Sequence, residues 1–159
     1  MEPRIYAWIV PGRLAVAERP GGVGRSHRRE LRFAEMEWWR SQGVVAIVSA
    51  LRSRHALADY LEQGFLVRWH PLSDVEQARS EMAALVATVK ELLVTPGVTA
   101  VLVHCDGAGE WLAAIDASLR LGLRLQRTPT TALRAAAKDG LPVGSIATSI
   151  VGRPNSAAA

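Results

Sequence analysis

The chain has 159 residues, 49% of them hydrophobic and 21% charged, enough for one domain with a sizeable core and too few for two comfortable ones. Nineteen Lys and Arg against 15 Asp and Glu leave a formal charge of +4, an excess that suits anionic partners without selecting one. The single cysteine excludes an internal disulfide and a multi-cysteine metal site, and it is in keeping with a reducing, cytoplasmic setting.

Ile5 to Val10 is an apolar run broken at Pro11-Gly12. It is too short for a signal-peptide core or a membrane span, so a soluble chain with no membrane partner is expected. With Leu14 to Ala17 across the turn, it predicts two short strands in a hairpin or at a sheet edge. Pro20, Gly21, Gly22 and Gly24 make Arg19 to Arg28 an irregular, mobile loop, and Arg25, His27, Arg28 and Arg29 concentrate positive charge there. No aromatic residue interleaves with that patch as a stacking platform, so it reads as a solvated basic loop rather than a nucleic-acid site. Leu31, Ala34, Trp38 and Trp39 have the spacing of a helix face over Arg29 to Gln42, with Gly43 as its stop, and a strand follows at Val44 to Ser49.

A short polar helix from His55 to Gln63, closed by Gly64, leads to a strand at Phe65 to His70 and a loop at Pro71 to Val75. Met82, Leu85, Val86, Val89, Leu92 and Leu93 then trace an amphipathic helix ended by Pro96-Gly97. Val98 to Val103 is β-branched and almost wholly apolar, which predicts a strand buried on both faces. Leu112, Ile115 and Leu119 carry a helix to about Gly122, and Thr128-Pro129 reads as the cap and first residue of another, ended by Gly140. Residues 153–159 are expected to be a frayed tail, which leaves 1–152 as one domain. Strands alternating with helices predict an α/β architecture: a mostly parallel central sheet with helices on both faces.

In such sheets, sites form at the C-terminal ends of strands, and Cys105 stands at one. The run His104-Cys105-Asp106-Gly107-Ala108-Gly109-Glu110-Trp111 is a strand-loop-helix junction. Backbone N–H groups and a positive helix end converge in such a loop, which favours an anion and can draw a thiol toward its reactive thiolate.

The order of these features resembles the cysteine-dependent dual-specificity and protein tyrosine phosphatases. Tyr6 to Ala15 is similar to the family's entry hairpin, and Gly43 to Val48 to the strand before its general-acid half. His70-Pro71-Leu72-Ser73-Asp74 is similar to the loop that carries the general acid, and Val101 to Cys105 to the approach to the nucleophile. The resemblance implies a phosphotyrosine protein phosphatase-like fold with Cys105 as nucleophile and Asp74 as acid. It further implies that His104 tunes the thiolate's environment and that Asp106, Gly107, Ala108, Gly109, Glu110 and Trp111 form the phosphate loop. Phosphorylated protein or a small phosphate ester would be the substrate, with no cofactor and no metal. In that chemistry a thiolate attacks phosphorus, loop N–H groups and a guanidinium hold the equatorial oxygens, and the acid protonates the leaving oxygen.

The pattern breaks inside the loop. Where the family has Arg followed usually by Ser or Thr, this chain has Trp111 and Leu112. An indole offers one neutral donor and no planar fork, so it does not replace a bidentate guanidinium. Glu110, and with it Asp106, is expected to bring a carboxylate into a cradle meant for a dianion. At ~4 Å and an effective dielectric near 20, one such charge pair is worth roughly 4 kcal/mol of repulsion. Removing a single neutral oxyanion donor already costs about 10²- to 10³-fold in rate. The sequence therefore predicts a pseudophosphatase or a very weak cysteine-dependent phosphatase. The alternative is a non-catalytic module that binds a phosphorylated or anionic partner, and a redox role for the lone thiol is a third reading.

Each residue also has a structural reading. Cys105 would be an inert buried side chain, Asp74 the N-cap of the next helix, and His104 and His70 core histidines with their bonds satisfied. Trp111 would fill the space the guanidinium left, or else plug the pocket or stack on a ligand ring. Asp116 would lie on a solvated helix face. Arg79 and Arg25 are the arginines expected to be able to reach the loop from elsewhere. The oligomeric state is open.

Overall fold

The computed structural model describes residues 6–21, 29–54, 56–106 and 109–152. The basic cluster Arg25, His27 and Arg28, the expected start of the second helix at His55, Gly107 and Ala108 in the cysteine loop, and the tail 153–159 lie outside the described residues.

Eleven elements follow in order: β1 (Tyr6–Val10), β2 (Leu14–Glu18), α1 (Arg29–Ser41), β3 (Val44–Ser49), α2 (Leu57–Glu62), β4 (Leu66–Trp69), α3 (Val75–Leu93), β5 (Ala100–Cys105), α4 (Glu110–Gly122), α5 (Pro129–Lys138) and α6 (Ser145–Val151). They build one five-stranded sheet in the order β1-β2-β5-β3-β4. Only the β1–β2 hairpin is antiparallel; β2, β5, β3 and β4 run parallel. Among the described residues, no helix is long and apolar enough to cross a membrane.

The strand pleat sorts residues into two cores. Val101, Val103 and Cys105 join Leu14, Val16, Ala46 and Val48 in a cluster with α3, α4, α5 and α6. Ala100 and Leu102 join Ala15, Ala17 and Ile47 in a cluster with Met36 and Trp39 of α1 and Tyr60 of α2. Side chains two apart share a face, so β5, buried along its whole length, needs apolar residues at nearly every position.

Local signals account for most boundaries. Gly43 adopts φ +90° just past α1, a conformation that costs glycine nothing and ends the helix. Thr128 accepts from the Thr131 N–H at 3.2 Å, with Pro129 at the first turn of α5, the cap read from sequence. Gly122 serves packing: a Cβ there would meet Val86 Cγ1 at 2.3 Å, so α4 and α3 approach closely only because the side chain is missing.

Three expectations are corrected. First, α4 begins at Glu110, two residues before the helical spacing shows, so Glu110 and Trp111 belong to its first turn rather than to the loop. Secondly, α6 has no counterpart in the sequence reading. Its run Ser-Ile-Ala-Thr-Ser-Ile-Val is rich in β-branched residues and starts at Gly144 without a side-chain cap, so propensity does not predict it. Burial of Ala147 and Ile150 against the core holds it. Thirdly, Asp116 is not solvated but wholly buried. Its carboxylate accepts from Arg120 Nε at 2.7 Å, and Arg120 Nη2 bridges to Asp139 at 2.7 Å just past α5. Burial pushes the Asp116 carboxyl up from its ordinary value.

Candidate active site

The site grows out of the middle of the sheet. β5 lies between β2 and β3, so the segments leaving those three strands meet at one edge. The Arg19 N–H donates to the Cys105 carbonyl at 3.0 Å, and the Ala50 N–H donates to the His104 carbonyl at 2.9 Å. These bonds continue the parallel ladders past the strand ends and hold the β2 and β3 exits on either side of the cysteine.

A cavity of about 500 Å³ opens there. Cys105, Asp106 and Gly109 line it from the β5–α4 junction, Arg19 from the β2 exit, and Ala50, Leu51, Arg52 and Ser53 from the β3 exit, with Leu72 and Trp111 completing the wall. Cys105 is 6% exposed, so the thiol sits at the bottom of a recess. Arg19 Nη1 lies 3.2 Å from Asp106 Oδ1; the Arg19 side chain is 23% exposed and that of Asp106 75%.

Hydrogen bonds stitch the β3 exit to the loop after β4. Arg52 Nε donates to the Leu72 carbonyl at 3.3 Å, Trp69 Nε1 to the Leu51 carbonyl at 2.7 Å, and the Leu72 N–H to the Ala50 carbonyl at 3.3 Å. Further along, the Ser73 N–H donates to Glu81 Oε2 at 2.8 Å. Asp74 is exposed and caps α3, its Oδ1 accepting from the Gln77 N–H at 2.9 Å. The capping role read from sequence is therefore observed, and Asp74 is not among the described residues that line the cavity. His70 bonds Thr88 Oγ1 through Nε2 at 2.7 Å, and partial burial lowers its pKa.

His104 departs from expectation. It is fully buried, yet neither ring nitrogen meets a hydrogen-bond partner among the described residues. Its ring packs edge-on to Tyr60, centroids 5.4 Å apart, and 6.2 Å from that of Trp39. Those residues belong to the core opposite the one that takes Cys105, as the alternation of a strand requires. Burial pushes its pKa down to about 4, so the ring is neutral at pH 7 and brings no positive charge to the thiol.

Glu110 is also corrected. Its carboxylate turns toward α6 and accepts from the Ala147 N–H at 3.2 Å, and it is not among the residues lining the cavity. It supplies the cap that Gly144 lacks. Trp111 combines two of its expected roles: half-buried, it packs against the core that holds Cys105 and also forms part of the cavity wall.

Of the two arginines named from sequence, Arg79 is placed away from the cavity. Arg79 donates through Nε and Nη2 to the Ser149 carbonyl at 3.2 and 2.8 Å, tying α3 to α6. It lines a different cavity, of about 510 Å³, between those helices and α4, and Arg25 lies outside the described residues. Among the described residues, the arginines that line the cavity are Arg19 and Arg52, which sequence reasoning missed. The available signal was an arginine within three residues of a strand's C-terminal end; what sequence could not supply was that β2 and β3 both flank β5.

No protein-family model and no curated protein matches the sequence. Solved structures do. Tk-PTP in its active form matches at 19% identity and a TM-score of 0.61, with 93% of each chain covered. A human tyrosine phosphatase-like serine/threonine/tyrosine-interacting protein matches at 12% identity and 0.59, again over 93% of each chain. Kinase associated phosphatase, with serine replacing its catalytic-site cysteine, matches at 19% identity and 0.53, over 86% of this chain and 81% of that one. The chain thus has the fold of the cysteine-dependent tyrosine and dual-specificity phosphatases, as the sequence resemblance implied.

Proposed function

We propose that this protein is a phosphatase-fold protein with very weak or no turnover, whose cavity above Cys105 receives a phosphorylated or otherwise anionic partner. The observation that carries this reading is Trp111: a neutral indole forms the cavity wall at the position where the chemistry needs a guanidinium. In a working reaction the Cys105 thiolate would attack phosphorus while the P–O bond to the leaving group breaks, and Asp74 would give that oxygen a proton. Water would then attack the phosphocysteine and the P–S bond would break, returning the thiolate. Both steps pass through a transition state whose equatorial oxygens need pre-positioned donors. The indole donates one neutral N–H at most, and Leu112, where a hydroxyl would assist the leaving thiolate, is buried in the core.

Binding is less demanding than turnover, since it needs charge and space but no selective stabilisation of the transition state. The fold likeness to a human tyrosine phosphatase-like interacting protein supports the same reading. The test is hydrolysis of an aryl phosphate by the purified chain beside Cys105→Ser. Turnover at least about 10²-fold below the ~1 s⁻¹ floor of ordinary enzymes is expected. Ordinary turnover that Cys105→Ser abolishes would overturn the reading.

A further inference from the structure

The cavity carries a feature that the missing loop arginine does not predict. Two guanidiniums line it from opposite sides, Arg19 leaving β2 and Arg52 leaving β3. The main chain of Arg19 is fixed by its N–H on the Cys105 carbonyl, and the Arg52 guanidinium is held through Nε on the Leu72 carbonyl. Among the described residues, the one carboxylate in the wall is Asp106, which is paired with Arg19 at 3.2 Å and is 75% exposed. Ala50, Leu51, Leu72 and Trp111 make much of the remaining wall apolar.

We infer that Arg19 and Arg52 form a two-sided clamp for the phosphoryl group of a phosphate monoester, in place of the guanidinium absent at Trp111, with Asp106 as a built-in competitor for Arg19. This rests on the reading that the cavity receives a phosphorylated partner, and it names the groups that hold it. Guanidiniums form the strongest charge-assisted hydrogen bonds to phosphate oxygens. Arriving from the strand ends beside the cysteine rather than from the first turn of α4, these two supply attraction to the ground-state dianion. They do not restore the fork that the reaction needs at the loop, so affinity and turnover separate. Asp106, on an exposed rim, swings aside when an anion takes its partner, and it sets the affinity by competition.

The test titrates the full chain with tungstate, a phosphate mimic that cannot be hydrolysed, by calorimetry at low salt. Saturable binding is expected for the wild type. Arg19→Gln and Arg52→Gln should each weaken it roughly ten- to hundredfold, the loss expected for a hydrogen bond to a charged group. Asp106→Asn should tighten it several-fold, and because that side chain is exposed, this arm holds even if an arginine variant folds poorly by circular dichroism. Arg134→Gln, an equal loss of charge on the exposed face of α5, should leave binding unchanged. Wild-type-like affinity in both well-folded arginine variants, or unaltered affinity in Asp106→Asn, would overturn the clamp, as would no tungstate binding by the wild type. Aryl phosphate turnover in the same samples keeps the two readings apart. Ordinary turnover overturns the weak-phosphatase reading while the clamp stands on the tungstate data, and low turnover with unaltered tungstate binding in the arginine variants overturns the clamp alone.

Discussion

The two ends of α4 hold charge in opposite ways. Toward its C-terminus, Asp116, Arg120 and Asp139 form a closed network with both contacts at 2.7 Å and no side chain more than 20% exposed. Beyond its N-terminus, Arg19 meets Asp106 at 3.2 Å on a rim where the carboxylate is 75% exposed. In the enclosed network Arg120 is already shared by two carboxylates, although Asp116 Oδ2 has no partner among the described residues, and its main contribution is to keep a buried carboxylate paired. An open pair contributes little to stability and can exchange its partner. Burial thus separates an enclosed ion cluster from an open one on the cavity rim.

The most direct way to break this comparison is to remove one arginine from each end. Arg120→Met leaves Asp116 buried without its cation and should destabilise the fold by about 3–5 kcal/mol in urea unfolding. Arg52→Gln, on an exposed residue, should stay within about 0.5 kcal/mol. Equal losses would show that the cavity arginines are structural too.

His104 sharpens the comparison, since it is a buried titratable group on the same strand as Cys105 with no charge partner among the described residues of its core. Its folded pKa of about 4 lies below the unfolded value of ~6.5. Between those values the unfolded chain binds more protons, so the contribution is complete above pH ~6.5 and is lost as pH falls toward 4, amounting to about 3 kcal/mol. Asp116, with its raised pKa, pulls the other way. The difference between wild type and His104→Phe, followed by denaturation from pH 7 to 4, therefore isolates the histidine. The variant should lose less stability on acidification; parallel curves would show that the ring is charged in the folded state.

The smallest effect belongs to Glu110. If it caps α6 rather than repelling an anion, Glu110→Ala should cost about 1 kcal/mol of stability and leave tungstate affinity nearly unchanged. A large gain in affinity with no loss of stability would return the carboxylate to the cradle.

Much of the fold was legible because its signals are local. The apolar run Val44–Ser49, the Thr128-Pro129 cap, the glycine after α1 and the hairpin at Pro11-Gly12 each act within a few residues, and the structure has the expected element at each. The position of Cys105 at a strand end, and the substitution of Trp111 for arginine in the resembling pattern, were legible in the same way. Helix α6 was not, since its β-branched run reads against a helix until Ala147 and Ile150 find the core. Nor were the direction of Glu110 and the burial of Asp116, because an Asp with an Arg four residues on reads as an ordinary surface pair until the packing of α5 encloses it.

The sequence by itself determined the alternation of strands and helices, the junction at which Cys105 stands and the tryptophan at position 111 beside it, since these depend on residue type and short-range pattern. Tertiary structure alone decided that β2 and β3 flank β5, that Arg19 and Arg52 therefore line one cavity with Cys105, that Glu110 faces a partner 37 residues away and that Arg120 bridges to Asp139, 19 residues further on. Those outcomes depend on which strands pair and which helix faces meet, and no residue carries that information within its own stretch of chain.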